Sequence, residues 1–540
     1  MTAARGALAA VALLVAGRAV AAPLTVWVLP SLARVMRGDA PGNVASATLY
    51  AARGEYEPFQ VAIRAPASGL TNVRVAASDL TGAAGRIASL NLTLFLERYV
   101  DVPRSTHCPY PGGNCPGPAG LYPDGLVPLA IASDPNRAAV PFSVAAGENQ
   151  PIWIDVLVPR AVAPGVYSGT LTVTADQGSA TIPVQLTVWA FELPAKPALR
   201  SSFGLHGAQN DRVHQSLLLL HRIMPWQVEP PNAAPLLEQG LNVGGLQLVS
   251  NQSGCVMDPA PTVSRLGRMI SGYPAELDLY VYVADEPPSK CSNMTLLVSQ
   301  LQSWARSIHQ TRARMLVTVP PTASLLDDGA GRSAVDIWVM LPKQWNPADR
   351  AFQTARARGD EIWAYTALVQ DPYSPKWAID FAPINYRMLM GFLAQSLGLQ
   401  GILYWNVNQY GADPWSNPMY VCCGGHSYAG EGLLIYPGAR VGVDGPVASM
   451  RLKWIREGVD DYDYVQLLRE AGRGDFALQI SRSVGADWRH WSRDPAVLER
   501  ARVRLGEELS RAAESRAAPK RERPPMQRMG GRRSSRGSAR

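Results

Sequence analysis

The stretch VYVADEPPSK, residues 281–290, ends a run of β-forming residues with two adjacent acids and then two prolines. Neighbouring carboxylates repel each other when both are ionised, and burial makes that repulsion more costly. Proline cannot extend a strand ladder or a helix interior, so the apolar run stops here. Asp285 and Glu286 therefore stand at the tip of a predicted strand, where they either reach solvent or have a chemical role.

The flanking sequence alternates short apolar strands with amphipathic helices, such as those at 294–310 and 384–398. This alternation is typical of parallel β/α units. The candidate strands cover residues 201–206, 244–250, 277–284, 314–320, 335–341, 361–368 and 401–408. They predict a (β/α)8 TIM-type barrel over residues 200–448, with one strand unrecognised between 207 and 243.

Counting back from 401–408 as the eighth strand makes 277–284 the fourth. Residues at the carboxyl ends of barrel strands line the catalytic face. Asp285 and Glu286 are therefore candidate catalytic residues. The alternative is a solvated loop that happens to begin with two acids.

Other strand ends carry side chains that suit sugars. Trp and Tyr present flat faces to the C–H side of a pyranose, and Asn and His form directional hydrogen bonds with hydroxyls. The candidate substrate-binding residues are His206, Trp363, Tyr365, Tyr404, Trp405 and Asn408. Strand alternation allows only some of them to point into the barrel, and a structural role is the alternative for His206.

Residues 24–195 have the pattern of an all-β domain. Short runs of Val, Ile, Thr and aromatic residues follow one another without helical interludes, which predicts a β-sandwich. The clearest runs are 55–65, 151–159, 166–175 and 180–194. The last two are predicted to form a hairpin about residues 176–179.

Residues 449–515 are predicted to be helices that pack on the barrel. Apolar residues recur every three or four positions from Leu452 to Leu468, which makes one apolar stripe. Ser449 is predicted to cap a first helix, Gly458 to break it and Asp460 to cap a second. The acids of this segment are predicted to form surface pairs.

The formal net charge of +7 lies in the C-terminal tail. Residues 516–540 contain nine Lys/Arg and one Glu, a net of +8, so the rest of the chain sums to −1. A tail of Pro, Gly, Ser and Arg cannot bury a core and is predicted to be disordered. Because the folded part is nearly neutral, binding to nucleic acid is not expected.

The first 22 residues are predicted to be a signal peptide. Arg5 supplies a positive n-region, residues 7–16 are apolar but too short to span a bilayer, and AVAA at 19–22 offers a cleavage site. No later segment has about 18 consecutive apolar residues, so no transmembrane span is expected. The protein is expected to be exported to the periplasm or the extracellular space.

Six cysteines in an exported chain indicate disulfides. Cys108 and Cys115 flank a turn-rich loop, and Cys255 and Cys291 each follow a predicted barrel strand. The adjacent pair at 422–423 is compatible with a vicinal disulfide or with two thiols. No Cys/His spacing resembles a zinc site and no phosphate-binding or dinucleotide-binding glycine pattern is present, so no metal or cofactor is expected.

Several phrases together resemble glycoside hydrolase family 123, whose catalytic region is also called domain of unknown function 4091. The likeness spans roughly residues 45–470, and IREGVDDYDY within 455–464 is its most specific part. The phrases are ARGEYEPFQVAI (52–63), GLYPDGLVPL (120–129), ADEPPS (284–289), GEGLLIYPG (430–438) and SMRLKWIREGVDDYDYVQLL (449–468). The resemblance implies an N-terminal β-sandwich, a (β/α)8 barrel and β-N-acetylgalactosaminidase activity, and therefore a carbohydrate substrate that contains N-acetylhexosamine.

The resemblance carries the family's adjacent Asp-Glu pair onto Asp285 and Glu286. Ordinary retaining glycosidases hold two carboxyl groups about 5–5.5 Å apart across the scissile bond, which neighbouring residues at a strand tip do not suit. The pair suits substrate-assisted catalysis through an oxazoline, with Glu286 as general acid and base and Asp285 orienting the acetamido N–H. Glu431 departs from the family's pattern, since many relatives have Asp there.

Two other functions fit the sequence. One is a non-catalytic carbohydrate-binding envelope protein on a barrel scaffold, because a fold does not by itself imply a function. The other is a hydrolase of another glycoside, with the same acids but no room for an acetamido group. Tight sugar binding without hydrolysis would indicate the first, and a panel of aryl glycosides would reveal the second.

Overall fold

A computed structural model describes residues 22–129, 139–209, 211–411 and 413–517. The predicted signal peptide, apart from residue 22, and the predicted basic tail, apart from residues 516 and 517, lie outside the described residues. The described chain forms an N-terminal region rich in sheet, a parallel sheet and a set of C-terminal helices.

The N-terminal region forms two sheets in the part of the chain that the structure describes. One has the strand order β2-β4-β11-β8-β9, and the other has β1-β13-β12-β5-β10 with β3, β6 and β7 at its margins. The strands are β1 (Ala22–Pro23), β2 (Thr25–Pro30), β3 (Ala47–Arg53), β4 (Tyr56–Arg64), β5 (Leu70–Ala77), β6 (Leu80–Gly82), β7 (Gly85–Ile87), β8 (Leu92–Val102), β9 (Gly120–Pro128), β10 (Phe142–Val144), β11 (Asn149–Leu157), β12 (Gly165–Ala175) and β13 (Gly178–Glu192).

The two sheets share one apolar core. Phe59 and Ile154 from one sheet pack in the same cluster as Val173 and Leu186 from the other. The predicted hairpin is confirmed, because β12 and β13 pair antiparallel with Ala175 opposite Gly178. The alternation of apolar and polar residues in these strands therefore reflects a sheet with one face buried and the other exposed to solvent.

The middle of the chain forms a parallel sheet with the order β14-β22-β21-β20-β19-β18-β15. Each strand lies in one of the seven predicted segments, and no strand begins more than one residue before its segment. Two short strands, β16 and β17, form a hairpin after β15. The strands are β14 (Arg200–Phe203), β15 (Val243–Gly245), β16 (Gln252–Ser253), β17 (Val256–Met257), β18 (Asp278–Ala284), β19 (Arg314–Val317), β20 (Ile337–Met340), β21 (Glu361–Tyr365) and β22 (Gly401–Tyr404).

The predicted eighth strand is not a regular strand. Pro225 forms a single parallel bridge with Phe203 of β14, and Gln227 forms another with Gly245 of β15. Proline has no N–H to donate, which limits a ladder at this position. The seven strands thus make a nearly closed barrel, and the closed eight-stranded form expected from the sequence is not what the described residues show.

The helices surround the barrel and follow it. Within the described residues, no helix combines the length and the apolar character needed to cross a bilayer. The helices are α1 (Arg212–Leu220), α2 (Pro230–Glu238), α3 (Val263–Ile270), α4 (Pro287–Lys290), α5 (Met294–Ile308), α6 (Arg350–Arg358), α7 (Ile384–Met388), α8 (Ala394–Leu397), α9 (Met450–Glu470), α10 (Gly474–Val484) and α11 (Pro495–Ala517), and after β22 the strands are β23 (Met419–Cys422), β24 (His426–Ala429), β25 (Ile435–Pro437) and β26 (Pro446–Ala448).

Helix α9 is one continuous helix, and the predicted break is wrong. Ser449 caps its start as expected, since its side chain accepts a hydrogen bond from the Leu452 N–H. Gly458 lies inside the helix, where a Cβ atom would stand 2.6 Å from the backbone oxygen of Arg387. The glycine therefore permits close packing on α7, and Asp460 is an interior residue of α9 instead of a cap.

The charged side chains of α9 from Arg451 to Asp463 are buried, so the prediction of surface pairs is also wrong. Asp461 accepts from Arg387 Nε at 2.7 Å. Towards the N-terminal sheets, Arg451 Nη2 lies 2.8 Å from Asp124 Oδ2. Removing one partner of a buried ion pair leaves an uncompensated charge, which is strongly unfavourable. These pairs therefore fix α9 between the barrel and the sheets.

Two disulfides join cysteines of the described chain, Cys108–Cys115 and Cys255–Cys291. The second connects the β16–β17 turn to the residue that follows α4. The adjacent cysteines at 422–423 are both free thiols. The Cys255–Cys291 bond therefore ties together two loops beside the end of β18.

Candidate active site

Asp285 and Glu286 directly follow β18, at the carboxyl edge of the barrel. Glu286 has a left-handed backbone with φ 43° and ψ 50°, and α4 begins at the next residue, Pro287. Such a conformation is costly for a residue with a Cβ atom and is concentrated at functional sites. Because the chain turns here, the two acids do not have to point to opposite sides as they would along an extended strand.

Asp285 is held at one carboxylate oxygen. Its Oδ1 accepts a hydrogen bond from the Tyr282 hydroxyl at 2.8 Å and from Thr318 Oγ1 at 3.2 Å. The Asp285 side chain is 64% exposed, with Lys290 Nζ 3.9 Å from Oδ2. Burial raises the pKa of Tyr282 and the Asp285 charge raises it further, so the hydroxyl stays a donor. The carboxylate is thus oriented and still open to a ligand.

Glu286 is held from two directions. Its backbone N–H donates to Thr318 Oγ1 at 2.5 Å, and the hydroxyl of Tyr365 donates to its Oε1. Burial raises the pKa of Tyr365, followed by the hydrogen bond to Glu286 and the nearby Asp285 charge. Thr318 therefore contacts both acids. The hydrogen bond from Tyr365 to Glu286 places the end of β21 next to them.

Trp226 packs against Tyr282, the residue whose hydroxyl donates to Asp285. Its ring centroid lies 5.2 Å from that of Tyr282 in an edge-to-face arrangement. The indole nitrogen is buried and has no hydrogen-bond partner among the described residues. The Trp226 ring, rather than its buried N–H, is therefore the part that could face a ligand. Sequence reasoning missed Trp226 because residues 225–227 do not form a periodic strand.

A small cleft of about 180 Å³ opens on the other side of Glu286. It lies among the loops that follow β18, β19, β20 and β21. Its polar lining comes from Glu286, Ser289, Thr318, Lys343, Gln344 and Gln370. The two acids therefore have different surroundings, the aromatic pair of Tyr282 and Trp226 beside Asp285 and a polar cleft beside Glu286.

His206, Trp405 and Asn408 form a separate group at the ends of β14 and β22. The His206 N–H donates to Asn408 Oδ1 at 2.8 Å, and Asn408 Nδ2 donates back to the His206 oxygen at 2.8 Å. Trp405 Nε1 donates to Glu431 Oε1 at 2.7 Å, and Glu431 Oε2 accepts from the Leu368 N–H at 3.1 Å. The Asn408 side chain thus holds the backbone of His206 in place. The His206 ring is exposed, and the Trp405 ring is partly exposed.

Glu431, the departure from the family pattern, is buried between the loops after β21 and β22. Burial raises its pKa to about 7. Its hydrogen bonds to the Trp405 indole and the Leu368 backbone join the two loops. Glu431 therefore connects the His206 group to the strand that carries Tyr365.

Two of the predicted substrate-binding residues, Trp363 and Tyr404, lie in the core. Trp363 is 0% exposed and Tyr404 is 1% exposed. The indole of Trp363 donates to Glu361 Oε2 at 2.8 Å, at the start of β21 and thus at the opposite edge of the barrel. The Tyr404 hydroxyl accepts from the Gly432 N–H at 2.8 Å. Both rings belong to the core, and Tyr365 is the aromatic residue of β21 that reaches the acids.

The model of the glycoside hydrolase 123 catalytic domain matches residues 277–468, and the model of the glycoside hydrolase 123 N-terminal domain matches residues 38–175. No curated protein sequence matches the chain.

One similar solved structure is a family 123 glycoside hydrolase from Clostridium perfringens, described for glycolipid glycan hydrolysis. It is 14% identical with a TM-score of 0.62, and the match covers 92% of this chain and 98% of that chain. A β-glucuronidase from Parabacteroides merdae is 9% identical with a TM-score of 0.26, over 65% of this chain and 46% of that chain, which is too distant to inform the function.

The first of these structures shares the arrangement of N-terminal sheets, barrel and C-terminal helices over nearly its whole length. The two family models cover the N-terminal sheets from β3 to β12 and the segment from β18 into α9, which includes both acids. The chain therefore belongs to glycoside hydrolase family 123 and is a glycoside hydrolase with a carbohydrate substrate.

Proposed function

We propose that the protein is an exported, retaining β-N-acetylgalactosaminidase that uses substrate-assisted catalysis. One observation carries this proposal: Asp285 and Glu286, at the end of β18, both form hydrogen bonds with the Thr318 hydroxyl. Adjacent carboxyl groups do not flank a bond as a nucleophile and an acid do. They suit a reaction in which the substrate supplies its own nucleophile.

In the first step the 2-acetamido oxygen of the substrate attacks the anomeric carbon. Glu286 gives its proton to the leaving oxygen, the glycosidic bond breaks and an oxazoline forms. Asp285 accepts a hydrogen bond from the acetamido N–H and stabilises the positive charge that develops there. In the second step Glu286 takes a proton from water, whose oxygen attacks the anomeric carbon and opens the oxazoline. Two inversions at this carbon retain its configuration.

The neighbouring side chains support this division of roles. The Tyr282 hydroxyl fixes one oxygen of Asp285, and the other oxygen, 3.9 Å from Lys290 Nζ, belongs to a side chain that is 64% exposed. Tyr365 donates to Glu286 and so limits its rotamers. The half-buried ring of Trp226, which packs against Tyr282, offers a flat face to the sugar that carries the acetamido group.

The proposal is tested with aryl N-acetyl-β-galactosaminides. Glu286→Gln and Asp285→Asn should each lower kcat by about 10²–10⁴-fold, since each removes a proton-transfer or charge-stabilising group. The exposed Glu276, just before β18, gives a matched control, and Glu276→Gln should retain full activity. Replacing the 2-acetamido group by hydroxyl should abolish turnover by the wild type.

Three results would contradict the proposal. Unchanged turnover by Glu286→Gln would remove the assigned acid. Equal rates on the acetamido and hydroxyl substrates would exclude substrate assistance. Tight sugar binding without hydrolysis by the wild type would instead indicate a carbohydrate-binding protein.

Export is supported by the signal-peptide pattern of residues 1–22 and by two disulfides, which persist in oxidising compartments. Cells that produce the full chain should release a shortened protein, processed near residue 22, into the periplasm or the medium. A full-length chain that stays in the cytoplasm would contradict this part of the proposal.

A further inference from the structure

We propose that the cleft beside Glu286 is the leaving-group subsite and that Lys343 selects a leaving sugar with a negative charge, a carboxylate or a sulfate ester. This inference rests on the proposed function, because it takes Glu286 as the general acid. It goes further by naming the substrate class on the far side of the scissile bond.

The position of the subsite follows from proton transfer. A general acid must lie within hydrogen-bond reach of the oxygen that it protonates, so the leaving group lies next to Glu286. The described cleft of about 180 Å³ is lined by Glu286 itself and by loops after β18 to β21. The Trp226 ring packs against Tyr282, whose hydroxyl donates to Asp285. The sugar that donates the acetamido group therefore belongs beside Trp226, and the leaving sugar belongs in the cleft.

Lys343 supplies the charge of this cleft. It lies in the 3-10 helix Pro342–Gln344 after β20, and its Nζ donates to Gln370 Oε1 at 2.6 Å. Gln370 is itself fixed, since its Nε2 donates to the Ala367 oxygen at 3.3 Å. An ammonium group has three donors, so two remain for a ligand. The lysine is thus positioned by a neutral amide that does not neutralise it.

The absence of an acidic partner distinguishes Lys343 from other lysines near the barrel. Those that pair with carboxylates are Lys290, Lys376 and Lys453. Within the described residues no carboxylate forms an ion pair with Lys343. A charge-assisted hydrogen bond to an anion is roughly twice as strong as a neutral one. An anionic group on the leaving sugar would therefore gain more from Lys343 than a hydroxyl would.

Three matched substrates test the subsite, namely N-acetyl-β-galactosaminides of glucuronic acid, of glucose 6-sulfate and of glucose. The wild type should hydrolyse at least one anionic substrate with kcat/KM about tenfold above that of the neutral one. Lys343→Gln should lower kcat/KM for that substrate by about tenfold and leave the neutral substrate within about twofold. Lys343→Arg should keep the preference, and Lys196→Gln, an exposed lysine in the domain junction, should behave as the wild type.

The two anionic substrates distinguish a carboxylate from a sulfate as the preferred group. The subsite is overturned if the aryl galactosaminide is hydrolysed but the wild type shows no anionic preference, or if Lys343→Gln lowers all three rates equally. If the folded wild type hydrolyses neither the aryl substrate nor any of the three, the proposed function fails and the subsite fails with it.

Discussion

Tyr365, the last residue of β21, donates a hydrogen bond to Oε1 of Glu286 at the end of β18, and the strands β20 and β19 lie between the two. The tyrosine is 6% exposed, and burial raises its pKa, so it remains a protonated donor. This contact fixes the orientation of the proposed general acid from the opposite side of the site.

Tyr365→Phe should lower kcat by about tenfold to a hundredfold with little change in KM. The ring is kept and only the hydroxyl that orients Glu286 is lost, so the effect should fall on the proton-transfer step. Steady-state kinetics on an aryl N-acetyl-β-galactosaminide provide the measurement, with Tyr50→Phe in the N-terminal sheets as control. An unchanged kcat would mean that the contact has no role in catalysis.

Thr318→Val should reduce kcat/KM by about tenfold or more. The substitution preserves shape but removes the acceptor of the Glu286 N–H and a donor to Asp285, and so loosens both acids at once. Thr318→Ser keeps the hydroxyl and should retain most of the activity. Equal losses in the two variants would point to packing of the methyl group instead.

Trp226→Phe should raise KM several-fold while the protein keeps its stability. The indole N–H has no partner within the described residues, so its removal breaks no internal hydrogen bond. The smaller ring offers a bound sugar less stacking area. Kinetics and thermal unfolding of the same variant separate the two effects, and a lowered Tm with unchanged KM would assign Trp226 a purely structural role.

Glu97→Gln should stabilise the protein at pH 8 by on the order of 4 kcal/mol and have little effect near pH 4.5. Glu97 is 0% exposed, neither carboxyl oxygen has a hydrogen-bond partner in the described chain, and burial raises its pKa from 4.5 to about 8. The folded state therefore holds a proton that the unfolded chain releases, and stability falls as the pH rises from about 4.5 to 8. Denaturant unfolding at the two pH values is the measurement, and an equal difference at both would disprove the linkage.

Arg451→Met should destabilise the fold by about 3–5 kcal/mol, because it leaves the Asp124 charge buried without its cation. Both side chains of this pair are fully buried. The double variant Asp124→Asn with Arg451→Met removes both charges and should recover part of the loss. A double variant as unstable as the sum of the single ones would show that the two residues do not interact.

The strands of the barrel could be predicted because each is a compact apolar run between helices. The segment at 225–227 was missed because it is three residues long, starts with proline and makes only single bridges. Trp226 was missed with it. Thr318, in contrast, lay within a predicted strand end, and the rule that strand ends line the site would have identified it.

Alternation could not distinguish Trp363 from Tyr365. Residues two apart on a strand share a face, so both were equally good candidates. Which of them lies at the mouth depends on the height of β21 relative to its neighbours, and that register is set by the whole barrel. Trp363 lies lower, near Glu361, and Tyr365 lies at the rim.

The burial of the α9 charges could not be predicted from local sequence either. The apolar stripe was recognised, but the partners of the charged residues lie far away in the chain. Asp155, for example, pairs with Lys453 and Arg456 of α9, about 300 positions later. From local sequence alone, a helix with many charges is predicted to be exposed to solvent, because its distant partners are not known.

The buried ion pairs between α9 and the N-terminal sheets also limit how this enzyme can be divided into fragments or recombined with a relative. Cleaving the chain near residue 195 would leave Asp155 on one fragment and Lys453 and Arg456 on the other, each facing water or a mismatched surface. Exchanging the N-terminal sheets with those of a relative would therefore require transplanting the complementary charges as well. The change in composition near residue 195 marks a change in architecture. The ion pairs of Asp155 with Lys453 and Arg456 nevertheless join the sheets and the rest of the chain into one structural unit.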